Sequence, residues 1–385
     1  MKRIGSIDIT RGIVMVIMAL DHVRDLIHVD SLSESPTNLQ TTSPILFFTR
    51  WITYICAPTF VFLAGTSAYL SFKKNGLEES RNFLLKRGLY LILLEFIVVN
   101  FALYFDPGYH TLLFEVIATI GFGFIVLALL LRVPVGIILT LGLIIIFGHN
   151  LLSLLPPREP SVGNTLFTML FGPGAVPFSG RVFIMAYPPI PWLGIMLTGF
   201  AAGKIFALPS GERRRFFTRV GIGALLLFIA ARAINVYGDP QPWATQKSAV
   251  YSFLSFMNVT KYPPSLLFCL VTLGIMFLLL ATTEEAKNRV WRIVSVYGKV
   301  PLFYFILHFF LIHVIMLAIM LLQGFQPAQL DFASGSFGRP KGVESGLHLG
   351  WIYLLWIGVV VLLYFPCRWF GRYKSTHNQW WLKYL

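Results

Sequence analysis

Six ionisable side chains fall within one short stretch of sequence: Asp21, His22, Arg24, Asp25, His28 and Asp30. A histidine beside a carboxylate can act as a general base, because the carboxylate fixes the imidazole tautomer and stabilises the imidazolium. A hydrated helix end with internal ion pairs is the structural alternative. Metal binding through His22, His28 and Asp21 has no recognised ligand spacing, so no metal is expected. Arg50 lies about two turns into the next apolar run, near the depth of Asp21 and Asp25, and pairing with one of them is expected. Glu95, Glu115 and His313 are further ionisable residues inside or at the ends of apolar runs, and His308 follows Lys299 by ~14 Å of helix.

The elements that must position these groups are membrane helices. Hydrophobic residues make up 56% of the 385 residues and charged ones 12%, against roughly 25% charged in a soluble domain, and mean hydropathy is +0.72. So little charge cannot cover a soluble fold, which excludes soluble enzymes, secreted disulfide scaffolds and disordered regulators. Ten apolar spans are predicted, near 4–27, 44–72, 85–105, 111–131, 134–155, 183–206, 217–238, 263–283, 298–323 and 347–368. The fold class is all-α, a polytopic membrane helix bundle of about ten transmembrane helices, with residues 1–385 read as one integral-membrane domain. Cys56, Cys269 and Cys367 stand in apolar runs without disulfide or zinc spacing.

Alternate connections are basic. Together with the termini they hold 22 of the 31 Lys and Arg, among them Lys2, Arg3, Arg87, Arg215 and Lys299. By the positive-inside rule both termini are expected in the cytoplasm. The same pattern accounts for the net charge of +14 without nucleic acid. The start could be read as a signal peptide, but Asp21-His22-Val23-Arg24-Asp25 replaces a small-residue cleavage site, so the segment is kept as the first helix. That helix must carry Asp8, Arg11 and Asp21 to membrane depth, where ionisable residues face a bundle interior or watered cavity. Long outward loops, near 28–43, 156–182, 239–262 and 324–346, mark the face where a site opens.

Tyr187-Pro188-Pro189-Ile190-Pro191-Trp192-Leu193-Gly194 and Lys261-Tyr262-Pro263-Pro264-Ser265 open two helices at that outer face. Proline suits a first helical turn and Tyr or Trp the interfacial belt; a sugar-binding aromatic platform is the functional alternative.

These segments form a recognisable set. Ser6-Ile7-Asp8-Ile9-Thr10-Arg11-Gly12, Ala19 through Asp25, Phe47-Phe48-Thr49-Arg50-Trp51 and Pro58 through Gly65 are followed by the two proline motifs and by Gly298-Lys299-Val300-Pro301 through His308. In order and topology they resemble the bacterial branch of the heparan-alpha-glucosaminide N-acetyltransferase family. The resemblance implies a transmembrane acyltransferase in a bacterial inner membrane: acetyl-CoA, the co-substrate, enters from the cytoplasm, and the acetyl group passes to an amine or hydroxyl of a sugar or glycan on the far side. The family's histidine falls after helix 1, where His28 is the best match and His22 the rival. Asp21 stands where lysosomal members have Asn, and His308 matches a family histidine. On this reading His28 or His22, oriented by Asp21, is the base, while His308 or Arg50 assists the thioester. Lys299, Arg87 and Arg215 meet the CoA phosphates, and Arg50 completes the donor-side set. The implied partners are acetyl-CoA, the acceptor and the bilayer, with a homodimer left open. A secondary transporter for a polar or anionic solute is the alternative, although paired repeats with interrupted helices are not seen.

Overall fold

A computed structural model describes residues 4–154 and 161–385. Lys2, Arg3, Leu155 and the start of the 156–182 loop, on which parts of the orientation and loop expectations rest, lie outside the described residues. The chain is helical almost throughout. Its helices are α1 (Gly5–Ile27), α2 (Pro44–Trp51), α3 (Cys56–Asn75), α4 (Leu77–Leu94), α5 (Asn100–Tyr104), α6 (Val116–Leu130), α7 (Val135–Gly148), α8 (Val162–Phe171), α9 (Pro189–Ala202) and α10 (Ser210–Ile234). α11 (Ala249–Met257), α12 (Leu266–Thr283), α13 (Arg289–Lys299), α14 (Pro301–Leu322) and α15 (Leu349–Thr376) complete the series.

Among the described residues, eight helical segments are long and apolar enough to cross a bilayer: Pro44–Asn75, Leu77–Tyr104, Val135–Leu152, Pro189–Ala207, Ser210–Ile234, Leu266–Thr283, Pro301–Leu322 and Leu349–Thr376. The protein is a polytopic, all-α integral membrane protein. Two further expected spans also form helices. α1 is about 34 Å long, enough for a hydrocarbon core of ~30 Å, but carries several charges; α6 is apolar yet only about 22 Å long. Its predicted span is shortened because Thr111–Phe114 forms a strand, β1.

Local chemistry sets several boundaries. The Ser43 side chain accepts from the Leu46 N–H with Pro44 in the first turn of α2, and Ser265 and Asn288 cap α12 and α13 in the same way. The first long span is interrupted by a 3-10 turn at Ile52–Ile55. Glu95–Val99 forms a π turn between α4 and α5.

The loop end of the bundle carries structure that hydropathy does not announce. β1 lies parallel to β3 (Arg181–Met185), and β3 pairs antiparallel with β2 (Gly174–Phe178). The β2–β3 turn has positive φ at both Ser179 and Gly180, the geometry of a type I′ hairpin turn. The opposite, basic end is closed partly by α13, where the sequence suggested a plain connection.

α1 is the central strut, in contact with α3, α12, α13, α14 and α15. It crosses α13 at Gly12 and Gly298: a Cβ at Gly12 would overlap the Val294 carbonyl, and one at Gly298 the Asp8 carbonyl. Only glycine permits that approach, which brings Lys299 against the start of α1. Further along, Trp356 Nε1 donates to the Val16 carbonyl at 2.7 Å. Apolar side chains such as Ile144, Leu226, Leu354, Leu362 and Phe365 stay exposed, as lipid-facing surfaces do.

Candidate active site

Two cavities lie along the bundle interior. One, about 300 Å³, is walled by the loop-end half of α1, the first turns of α3, the part of α14 around Phe305 and Phe309, the 3-10 turn after α2, and residues from the loops. Its polar lining includes Asp21, His22, Asp25, Arg50, Glu115 and Lys261. The second, about 260 Å³, opens toward the basic end and includes Arg11, Arg87, Lys299 and Lys374 among its lining residues. Phe60, Val116 and Phe305 line both, so the polar and basic cavities are divided by a shared apolar wall.

In the polar cavity the expected Arg50 pairing forms: Arg50 Nη1 donates to Asp21 Oδ2 and lies 4.0 Å from Asp25 Oδ2. Arg24 Nη2 donates to Asp21 Oδ1 at 2.7 Å and to Asp25 Oδ1 at 2.5 Å. Asp21 is thereby held between two guanidiniums. Buried ions need such pairing, since removing one partner strands the other without solvent.

The two histidines form a directed pair. His308 is fully buried, and its Nδ1 lies 3.1 Å from the Tyr304 carbonyl oxygen. A carbonyl only accepts, so this nitrogen carries the proton. His308 Nε2 then holds a lone pair and sits 2.5 Å from His22 Nδ1, which must donate to it. The chain Tyr304 carbonyl, His308, His22 therefore leaves the remaining nitrogen of His22, Nε2, unprotonated, the state a general base needs. Phe309 stacks on the His22 ring at 4.3 Å between centroids, holding its plane.

His28, the favoured sequence candidate, has a different setting. It ends α1, lies outside the cavity lining and is bound into the loop: its carbonyl accepts from Arg339 Nη1 at 2.9 Å, and its Nδ1 accepts from the Asp30 N–H at 3.3 Å. Burial pushes its imidazole below the usual range, so it is neutral at pH 7. Arg339 also donates to Ser31 Oγ at 2.8 Å. It thereby fixes the loop whose Phe337 closes the polar cavity and stacks on Tyr104.

The expected donor-side cations separate. Lys299 and Arg87 meet in the basic cavity, where Arg87 Nη1 also donates to the Lys383 carbonyl at 2.6 Å. Arg215 does not join them, because it is exposed on α10 with Nε turned back to the Gly211 carbonyl. Arg50 belongs to the polar cavity instead, drawn there by Asp21. His308 does not line either cavity; it acts on His22 from behind. Glu95 is buried and accepts from the Ala118 N–H at 3.0 Å, a link between helices, as is the bond of His313 Nδ1 to the Leu103 carbonyl. Among the described residues no cluster of three or more His, Cys, Asp or Glu could hold a metal ion.

Arg11, expected at depth facing a cavity, lines the basic one, whereas sequence reasoning gave no site role to Lys374 in the basic cavity or to Lys261 in the polar one. Arg11 had a signal, a cation within the first apolar run; it donates to the Leu63 carbonyl at 2.9 Å and to Ser67 Oγ at 2.5 Å. Lys261 had none beyond its place in the second proline motif.

The fold and site thus define a helical membrane protein in which His22 lines a polar cavity, is paired with the buried His308 behind it, and is separated by an apolar wall from a second, cationic cavity. The family of the heparan-alpha-glucosaminide N-acetyltransferase catalytic domain matches residues 3–242, more than half of the chain, and the chain belongs to that family. The protein is thus a membrane acetyltransferase by kind. The matched region contains Asp21, His22, Arg50 and Glu115, while Lys261, Lys299 and His308 come from the part beyond it. Comparison with curated proteins finds no match.

Proposed function

We propose that the protein transfers an acetyl group from acetyl-CoA, bound at the basic end, to a sugar acceptor in the polar cavity, with His22 as the base. The observation that carries this reading is the pair of cavities with a common wall at Phe60, Val116 and Phe305. Arg11, Arg87, Lys299 and Lys374 suit the phosphates of the nucleotide end. The pantetheine arm extends past Phe305 and presents the thioester to the polar cavity. There His22 Nε2 takes the proton from the acceptor hydroxyl or amine as its oxygen or nitrogen attacks the thioester carbonyl. The C–S bond breaks, the new C–O or C–N bond remains, and the proton returns from the imidazolium to the CoA thiolate.

Asp21, fixed by Arg24 and Arg50, precedes His22 on α1 and favours the imidazolium that forms during attack. By the positive-inside rule the basic end faces the cytoplasm, so the acceptor is extracytoplasmic, as in a bacterial inner membrane. Proteoliposomes test this. With acetyl-CoA outside and D-glucose or D-glucosamine trapped inside, acetylated sugar should accumulate in the lumen. Acetylation only of sugar supplied on the same side as acetyl-CoA would overturn the sidedness, and no acetyl-CoA consumption at all would overturn the activity.

A further inference from the structure

Two opposite charges in the polar cavity have no part in the transfer steps above. Asp21 and Asp25 are satisfied by Arg24 and Arg50. Lys261 and Glu115 line the same cavity and attract one another, yet among the described residues neither side chain has a hydrogen bond or an ion pair. Lys261 is only 8% exposed. Its ammonium instead rests against two aromatic rings, 5.8 Å from the centroid of Tyr187 and 5.0 Å from that of Tyr262. Those rings meet edge to face at 5.1 Å, and the Tyr262 hydroxyl donates to that of Tyr187 at 3.4 Å.

Cation–π attraction offsets only part of the cost of burying an ammonium. A lysine and a carboxylate facing one cavity without closing on each other leave a gap that wants a group able to accept at one end and donate at the other. Charge narrows the choice. With Asp21, Asp25 and Glu115 ionised, Arg24, Arg50 and Lys261 balance them, so a ligand of either charge would leave the site with a net buried charge. Size narrows it again, because about 300 Å³ is at the small end of ligand pockets and suits one ring.

We infer that Lys261 and Glu115 are the two poles of the acceptor subsite, bridged by a vicinal diol of a neutral sugar whose C–H face packs on Tyr187 and Tyr262. One hydroxyl oxygen accepts from Lys261, the neighbouring hydroxyl donates to Glu115, and a third hydroxyl is left for His22. This rests on the proposed function and deepens it: the acceptor atom is oxygen, and the product is an ester.

Isothermal titration of the detergent-purified protein with D-glucose, D-glucosamine and D-glucuronate tests the subsite without turnover. Glucose should bind tighter than both charged sugars. Lys261→Met and Glu115→Gln should each weaken it about tenfold, the worth of one hydrogen bond to a charged group. The double variant should be little weaker than either single, since one ligand couples both poles. Acetyl-CoA affinity should not change in any of them. Absent glucose binding, equal affinity for the three sugars, or additive losses accompanied by lost acetyl-CoA binding would overturn the inference, the last because it marks a purely structural role. Should wild type bind glucose as described but not acetyl-CoA, the acetyl-transfer reading fails and the sugar subsite stands.

Discussion

Replacing His308 with alanine removes the acceptor for His22 Nδ1–H. A buried donor left unpaired costs about 1–3 kcal/mol. The ring escapes that cost by moving its proton to Nε2, but the nitrogen that should receive the acceptor's proton then has no lone pair. At about 1.4 kcal/mol per tenfold, the competent tautomer falls in population by roughly 5- to 140-fold, and kcat falls with it. The KM for acetyl-CoA should stay unchanged, because His308 lines neither cavity. His308→Gln supplies the control: its amide oxygen reaches about where Nε2 sits and can accept from His22, so most of kcat should return. Release of free CoA, followed with a thiol reagent at saturating acetyl-CoA and sugar, measures both variants, and the three cysteines are buried and contribute little background. Equal inactivity of the Ala and Gln variants, or wild-type rates in both, would refute the proton arrangement.

The basic cavity gives a second set of outcomes: Lys299→Ala and Arg87→Ala should raise the KM for acetyl-CoA about tenfold with little change in kcat, while Arg215→Ala should alter neither. Val116→Trp, which fills the shared wall, should cut kcat by about 100-fold through a misplaced thioester while acetyl-CoA still binds, as equilibrium binding with labelled nucleotide would show. Asp21→Asn should lower thermal stability by roughly 3–5 kcal/mol, because it strands the buried Arg24 and Arg50; an unchanged melting temperature would show that the ion cluster contributes nothing. His28→Ala should keep transfer activity, and its loss would return the base to the end of α1.

The helices and the importance of α1 and α14 were legible because apolar runs must be helical in a membrane and charges within them must be sheltered. The choice between His22 and His28 was not. It depends on where α1 stops and how it is rotated against α14, and the partner that sets His22 apart from His28, His308, is 286 residues away from His22. The density of basic residues marked one end of the bundle but not which of them point inward, so Arg215 and Lys299 looked alike until α13 packed on α1 through Gly298. Lys261 was hidden for a related reason: its motif reads as an interfacial anchor until Tyr187, from the other proline motif, is brought against it. The β2–β3 hairpin left a trace in Ser179-Gly180, but its partner β1 lies inside what hydropathy reads as a membrane span.

The most direct test of His22 as the base is a comparison of wild type with His22→Ala in detergent, measuring acetyl-CoA binding and the rate of CoA release in the presence of sugar. Wild type should bind and release, whereas His22→Ala should bind with equal affinity and release CoA at least 100-fold more slowly. Full activity in His22→Ala, or no binding of acetyl-CoA by wild type, would contradict the account.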